Sequence, residues 1–202
     1  FVWQNDFALA RNFNFSQVSK DYDYILWLDA DDVMRGLENI RQIIEDNQTV
    51  DAFAFNYLYD FDKYNNPIVV HKKTQIIRND GCVSWIGKLH EDFKENRSLI
   101  VKFVEGVERM HLTTDERVKV AFQRNVEISK EEVELNPNDP RVYFNLANSY
   151  FGAGKNDSAR KVYKKFLKTS QSNEEKYVAH QRLSSVEHSL GNREESIEHL
   201  YT

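Results

Sequence analysis

Tyr24-Ile25-Leu26-Trp27-Leu28-Asp29-Ala30-Asp31-Asp32 is the stretch whose reading decides the fold. An unbroken apolar run reads as a strand buried on both faces of a parallel sheet. The carboxylates of Asp29, Asp31 and Asp32 then fall at its carboxyl end, where open α/β sheets bind their ligands. Close carboxylates repel: two unit charges about 4 Å apart cost about 4 kcal/mol at an effective dielectric of 20. A cation among them removes that cost. Hard divalent cations such as Mg²⁺ or Mn²⁺ take one or two carboxylates together with the oxygens of a substrate phosphate. The segment therefore reads as a metal site for a phosphorylated substrate. The ordinary alternative is a strand running into an acidic turn, because Asp favours turns.

Outward from this stretch the pattern is that of an α/β unit followed by an all-α one. Phe7 to Ser19 has helical periodicity, with Ala10, Phe13 and Val18 on one apolar face. A second helix is expected near Leu37 to Asp46, carrying Leu37, Ile40, Ile43 and Ile44. Ala52 to Asp60 alternates as a strand does, with Phe53, Phe55, Tyr57 and Tyr59 facing one way. Tyr64-Asn65-Asn66-Pro67 is a turn, Ile68-Val69-Val70 begins a returning strand, and a further strand runs from Thr74 to Arg78 before the turn Asn79-Asp80-Gly81. Leu99 to Val104 and Val107 to Leu112 give two more short strands. From about Thr113 everything reads as helix, so the expected domains are 1–113 and 114–202.

The helical part repeats itself. Aligning Leu146 with Leu183, an offset of 37, also pairs Tyr143 with His180, Gly154 with Gly191 and Ala159 with Ser196. That offset is the ~34-residue tetratricopeptide period with a slightly longer loop. Asp139-Pro140 puts an N-cap before Pro at the first helical position. Thr113 with Glu116, Ser172 with Glu175, and Asn192 with Glu195 have capping-box spacing. One and a half to two repeats follow a leading helix, fewer than the ~3 usually needed for stability.

Composition narrows the class. At 202 residues and 41% hydrophobic, the chain can bury a core and is not a disordered segment. A net charge of -5 gives no footprint for nucleic acid. A single cysteine, Cys82, excludes an internal disulfide framework and points to a reducing, cytoplasmic setting. No signal peptide and no membrane-length apolar run is visible. Asn14-Phe15-Ser16 and Asn156-Asp157-Ser158 match the glycosylation pattern by chance in such a chain.

An apolar strand ending Asp-x-Asp occurs in haloacid-dehalogenase-type phosphatases and in glycosyltransferases of the GT-A fold. The phosphatase pattern also needs a downstream acidic motif such as Gly-Asp-x-x-x-Asp, which this sequence lacks. Upstream lies Phe7-Ala8-Leu9-Ala10-Arg11-Asn12, and downstream Gly87-Lys88-Leu89-His90-Glu91. With Asp29-Ala30-Asp31-Asp32 between them, the arrangement closely resembles family-2 glycosyltransferases of the bacterial kind that carry a tetratricopeptide tail. The resemblance implies a partial GT-A, Rossmann-like sheet followed by tetratricopeptide hairpins. Two βα units that bind the nucleoside precede this point in that family, so the chain, opening at Phe1, is expected to be a fragment inactive and poorly soluble by itself.

The resemblance also implies roles. Asp31 would be the direct ligand of Mn²⁺ or Mg²⁺, Asp29 would contact the ribose or support the metal, and Asp32 would be a turn residue or lie behind the ligands. His111 would complete the metal shell, although Leu112-Thr113-Thr114 departs from the family's pattern there. Arg11 would meet phosphate oxygens with its planar fork, and Asn12 would bond the nucleotide or brace the acidic loop. Inverting transfer needs a base to take the acceptor's proton. Glu91 matches that acid, and Asp92 is its neighbour. Adjacent strand residues face opposite ways, so both can act only if the backbone turns. Trp85 would wall the sugar or acceptor site, and His90 would bind substrate or make a structural hydrogen bond. The donor would be a nucleotide-diphosphate sugar, the acceptor a peptide, glycan or lipid-linked carrier, and the helical repeats would hold a protein or peptide partner. The other expectation is a tetratricopeptide scaffold whose transferase half is degenerate.

Overall fold

The computed structural model describes the chain except Thr113 and Thr114, and leaves aside the side chains of Asp115, Glu116 and Lys119. The capping box expected at Thr113 and Glu116 therefore lies outside the described residues. The chain is α/β and then all-α, divided into compact units Phe1–Thr113 and Thr114–Thr202.

The first unit holds helix α1 (Phe7–Ser16), strands β1 (Tyr24–Leu26) and β2 (Asp32–Arg35), helix α2 (Ile40–Glu45), and strands β3 (Ala52–Phe61), β4 (Pro67–Arg78), β5 (Val83–Ile86), β6 (Asp92–Glu95) and β7 (Val101–His111). Its main sheet has the order β1-β4-β3-β7-β2, and β5 pairs with β6 as a separate hairpin. Only the β3–β7 pairing is parallel; β1–β4, β3–β4 and β2–β7 are antiparallel. The strand expected over Tyr24 to Asp29 is thus shorter, antiparallel and at an edge. It is half-buried: Ile25 and Trp27 face inward, while Leu26 and Leu28 are exposed. An edge strand with one covered face needs only alternate apolar residues, and the others supplied the misleading continuous run.

The central strand β3 is covered on both faces. Phe53 and Phe55 join Val50, Ile76, Val104 and Val107 in one cluster, on which Leu37, Ile40, Ile43 and Ile44 around α2 pack. Ala52 belongs to the opposite cluster with Ala8, Ile25, Trp27, Ile77, Cys82 and Trp85. There α1 contributes Ala8 and Phe15, and the turn after it Val18, not Ala10 and Phe13. Phe13 is 42% exposed, because the inward arc of α1 is centred on Ala8 and Phe15. Burial pushes the Cys82 thiol up to about 12, so it stays protonated and packs as a small apolar group.

Two pairs of expected strands are each one long strand. Pro67–Arg78 is continuous, with a register shift opposite Phe53 and Ala54 that leaves Gln75 as the extra residue. Val101–His111 is also continuous: Ala54 pairs with Phe103 and Asn56 with Glu108, so β7 bulges through Gly106 at φ +78. The strand Asp32–Arg35 has no apolar run to announce it and went unread. Between β1 and β2 the chain passes from one edge of the five-stranded sheet to the other in residues 27–31. Four interstrand spacings make about 19 Å. The acidic segment is shorter than that, because it closes a turn in which the Asp32 amide donates to the Asp29 carbonyl at 3.1 Å; the sheet therefore curls and brings its two edges together.

The second unit is α3 (Asp115–Leu135), α4 (Pro140–Gly152), α5 (Asn156–Thr169), α6 (Asn173–Ser189) and α7 (Arg193–Tyr201). The repeat is visible in three dimensions: Gly154 and Gly191 hold equivalent turns at φ +68 and +86, and Ala159 and Ser196 are both buried. Asp139 and Ser172 cap α4 and α6 by accepting the amides of Arg141 and Glu175. Asn192 makes no such bond; its amide donates instead to the buried Glu187 carboxylate at 2.7 Å. Tyr163, Phe166, Leu183 and Val186 form the fully buried centre.

His180 on α6 and His199 on α7 approach to 3.1 Å between their Nδ1 atoms. Burial lowers both pKa values. His199 and Lys176 add to the effect at His180, and Lys164 adds to it at His199 while Glu187 and Glu198 oppose it. The folded state thus favours neutral rings. Their contribution to stability is present above pH about 6.5, the ordinary histidine value, and is lost as pH falls through the lowered folded values. Thermal melts of the helical circular dichroism signal should show a falling midpoint from pH 7 to pH 5. The double variant His180→Gln/His199→Gln should flatten that dependence, and an unaltered slope would count against it.

Candidate functional site

The acidic segment, the end of β7 and the middle of β3 meet on one face. The parallel register sets Tyr57 beside Arg109 and Leu58 beside Met110, and the antiparallel register sets Asp32 opposite His111. Residues two apart on a strand share a face, so Arg109 and His111 point the same way, as do Tyr57 and Tyr59. The Tyr57 ring lies 4.3 Å from the Arg109 guanidinium carbon, and Tyr59 stacks on His111 at 5.3 Å and 3°.

Asp32, expected as a turn or supporting residue, is the most buried acid of the segment, its side chain 0% exposed. Its Oδ2 accepts from Arg109, and its Oδ1 lies 2.9 Å from His111 Nδ1. Arg109 also donates to Asp29 at 2.6 Å and to Gln75 Oε1. Gln75, turned inward by the bulge of β4, donates in turn to the Trp27 carbonyl at 3.1 Å. Arg11 on α1 holds the other side of Asp29 at 3.0 Å and donates from Nε to Glu91 at 2.6 Å. Burial opposes the charge on Arg11, but Asp29 and Glu91 outweigh it and its pKa is raised. A continuous chain of ion pairs therefore runs Glu91–Arg11–Asp29–Arg109–Asp32, and a hydrogen bond extends it to His111. The cations that relieve carboxylate repulsion here include two of the protein's own arginines.

Asp31, Asp32 and His111 each present one donor atom, and the three lie within 4.8 Å of one another. Among the described residues this is the group of His, Cys, Asp and Glu close enough together to hold a metal ion. Two carboxylate oxygens and an imidazole nitrogen suit a divalent cation at about 2.0–2.6 Å with modest contraction. The set includes Asp31 and His111, both named from the sequence, with Asp32 in the place given to Asp29; Asp29 is held by two arginines and Asp32 by Arg109 and His111.

The remaining expected residues are placed as follows. Asn12 donates to the Trp85 carbonyl and accepts its amide, both at 2.8 Å, so it ties α1 to β5 rather than to the acidic loop. Trp85 is 8% exposed in an aromatic cluster with Phe15, Trp27 and Phe93. Its ring carries the Arg11 guanidinium at 5.0 Å, so it supports the site from below. The backbone turns at Gly87 (φ +88) and His90 (φ +57), which parts the two neighbouring acids. Glu91 joins Arg11, while Asp92 is exposed and accepts the Phe93 amide. Arg109, Gln75, Tyr57 and Tyr59 were not foreseen. The signal for Arg109 was its position two residues before His111 on a strand.

A family model described as a tetratricopeptide repeat matches residues 140–173, the α4–α5 hairpin. Two curated proteins are similar to the chain: the SPbeta prophage-derived glycosyltransferase SunS of Bacillus subtilis (strain 168) and glycosyltransferase SunS of Bacillus phage SPbeta. Each is 24% identical over 171 residues, covering 82% of this chain and 40% of the relative. The chain thus spans well under half the length of the curated relatives it matches. Among the described residues no helix is long and apolar enough to cross a membrane.

Proposed function

We propose that the protein is an inverting, metal-dependent glycosyltransferase of the GT-A, family-2 kind, moving a sugar from a nucleotide-diphosphate donor to a peptide, glycan or lipid-linked acceptor. The observation that carries this reading is the convergence of residues far apart in sequence, Arg11, Asp29, Glu91 and His111, on one ionic network beside the Asp31–Asp32–His111 donor set. The similarity to a glycosyltransferase supports the class. Asp31, Asp32 and His111 would hold Mn²⁺ or Mg²⁺, which when bound supplies charge neutralisation at the leaving diphosphate. Arg11 stands where it can exchange Asp29 or Glu91 for a phosphate oxygen. Glu91, once released by Arg11, takes the acceptor's proton as the acceptor attacks.

The test uses the full-length protein. Asp31→Ala should weaken Mn²⁺-dependent donor binding in calorimetry by at least about tenfold, the loss of roughly 1.4 kcal/mol. Glu91→Gln should bind donor as the unaltered protein does and turn over about a hundredfold more slowly, the low end for loss of a general base. Full activity in either variant would overturn the role given to that residue.

A second reading is a protein-binding scaffold with a silent transferase half. The tetratricopeptide match favours it, as does the pairing of Asp29 and Asp32 with Arg109, which already balances charge in the acidic segment. No heat with any nucleotide sugar in the presence of Mn²⁺, together with tight peptide binding to the repeats, would decide for it.

A further inference from the structure

We propose that Tyr59 is a positioning residue for His111: its ring fixes the plane in which the imidazole offers a nitrogen to the Asp31–Asp32 carboxylates. This rests on the metal reading above. An imidazole rotates broadly about its second side-chain torsion, and one hydrogen bond, here Nδ1 to Asp32 at 2.9 Å, fixes a point on the ring but not its plane. Metal-ligating histidines need both. The second restraint comes from the next strand. The β3–β7 register, Tyr57 with Arg109 and Leu58 with Met110, brings Tyr59 alongside His111, and the two rings lie 3° from parallel with centroids 5.3 Å apart.

Among the described residues Tyr59 has no other evident task. It is 50% exposed, so it is not filling a core. Its remaining ring contacts are edges, with Tyr57 at 5.6 Å and His71 at 5.9 Å. The broad faces of Tyr59 and His111 meet each other, and the stack costs the protein an aromatic ring left half in water. Tyr57, by contrast, is buried and rests on Arg109. The β3 aromatics therefore divide the labour: Tyr57 backs the arginine that pins Asp32, and Tyr59 backs the imidazole that completes the donor set.

The experiment is Mn²⁺ titration of the full-length protein, followed by the paramagnetic resonance of the free ion, with the ring ¹⁵N shifts of His111 read in metal-free protein. An aromatic pair is worth roughly three- to tenfold in an equilibrium constant. Tyr59→Ala should therefore weaken Mn²⁺ binding about three- to tenfold and, as the freed ring keeps its Nδ1 bond to Asp32 less of the time, draw the two ring-nitrogen shifts together. Tyr59→Phe, which keeps the ring, should restore both. His111→Gln should lose most of the affinity. If the unaltered protein and His111→Gln bind Mn²⁺ alike, the metal reading fails and the proposal falls with it. If His111→Gln loses binding while Tyr59→Ala matches the unaltered protein in affinity and ring signals, the metal reading stands and Tyr59 is an ordinary surface ring.

Discussion

Replacing Arg109 with methionine is expected to destabilise the sheet unit by about 3–5 kcal/mol, the usual cost of removing one partner from a buried ion pair. The side chain is 7% exposed and holds Asp29, Asp32 and Gln75 together while resting on Tyr57. Without it the wholly buried Asp32 carboxylate keeps only His111. Removing the charge as well, in Arg109→Met/Asp32→Asn, should recover much of the loss, since the cost lies in the uncompensated charge. Urea unfolding followed by the fluorescence of Trp27 and Trp85 measures both. Mn²⁺ in excess should raise the midpoint of Arg109→Met more than that of the unaltered protein, because a cation bound only to the folded state stabilises it and in the variant would also offset the unpaired charge of Asp32. A loss below about 1 kcal/mol would show that water reaches Asp32 and that the arginine is a surface partner.

Gly36→Ala should cost about 3 kcal/mol or more. A Cβ on Gly36 would stand 2.0 Å from the Gly106 carbonyl oxygen and 3.3 Å from Val107 Cα, both backbone atoms that cannot swing aside. Its φ of +76 adds left-handed strain of roughly 1–2 kcal/mol. Gly106→Ala is the internal control: its φ is +78, but nothing lies within 4 Å of the added carbon, so only the strain is expected. The difference between the two measures the close approach of β2 to the bulge of β7. That approach sets Asp32 opposite His111, so Gly36→Ala should also weaken Mn²⁺ binding while Gly106→Ala should not. Equal losses of stability would mean that β2 separates from β7 freely.

Much of the architecture is written in local pattern. The switch from strand alternation to helical periodicity near Thr113, the glycine-marked repeat, and the caps at Asp139 and Ser172 all follow from side-chain chemistry within a few residues. What escaped is non-local. Tyr24 to Leu28 looks like a buried parallel strand because its outward residues are apolar as well, and no period in the sequence reveals which strand pairs beside it. β2 is built from Asp32-Val33-Met34-Arg35, with no alternation to report it, since its inward acid is satisfied by an arginine 77 residues away. The site was legible where a short motif carries the chemistry: Arg11, Asp29, Asp31, Glu91 and His111 were named from sequence and lie together in space. The arginine and the tyrosines that hold them were not, because positioning is a property of register.

The turn closed by the Asp32 amide on the Asp29 carbonyl makes the number of residues there a structural quantity. Surface turns such as 62–66 can change length at little cost, but this one sets the spacing of two acids that Arg109 holds at once. One residue fewer or more between Asp29 and Asp32 breaks the turn and takes one carboxylate out of that arginine's reach. Drift in this protein is therefore constrained twice over at Asp29-Ala30-Asp31-Asp32, in which residues stand there and in how many, and Ala30, chemically silent, is held in place by spacing alone.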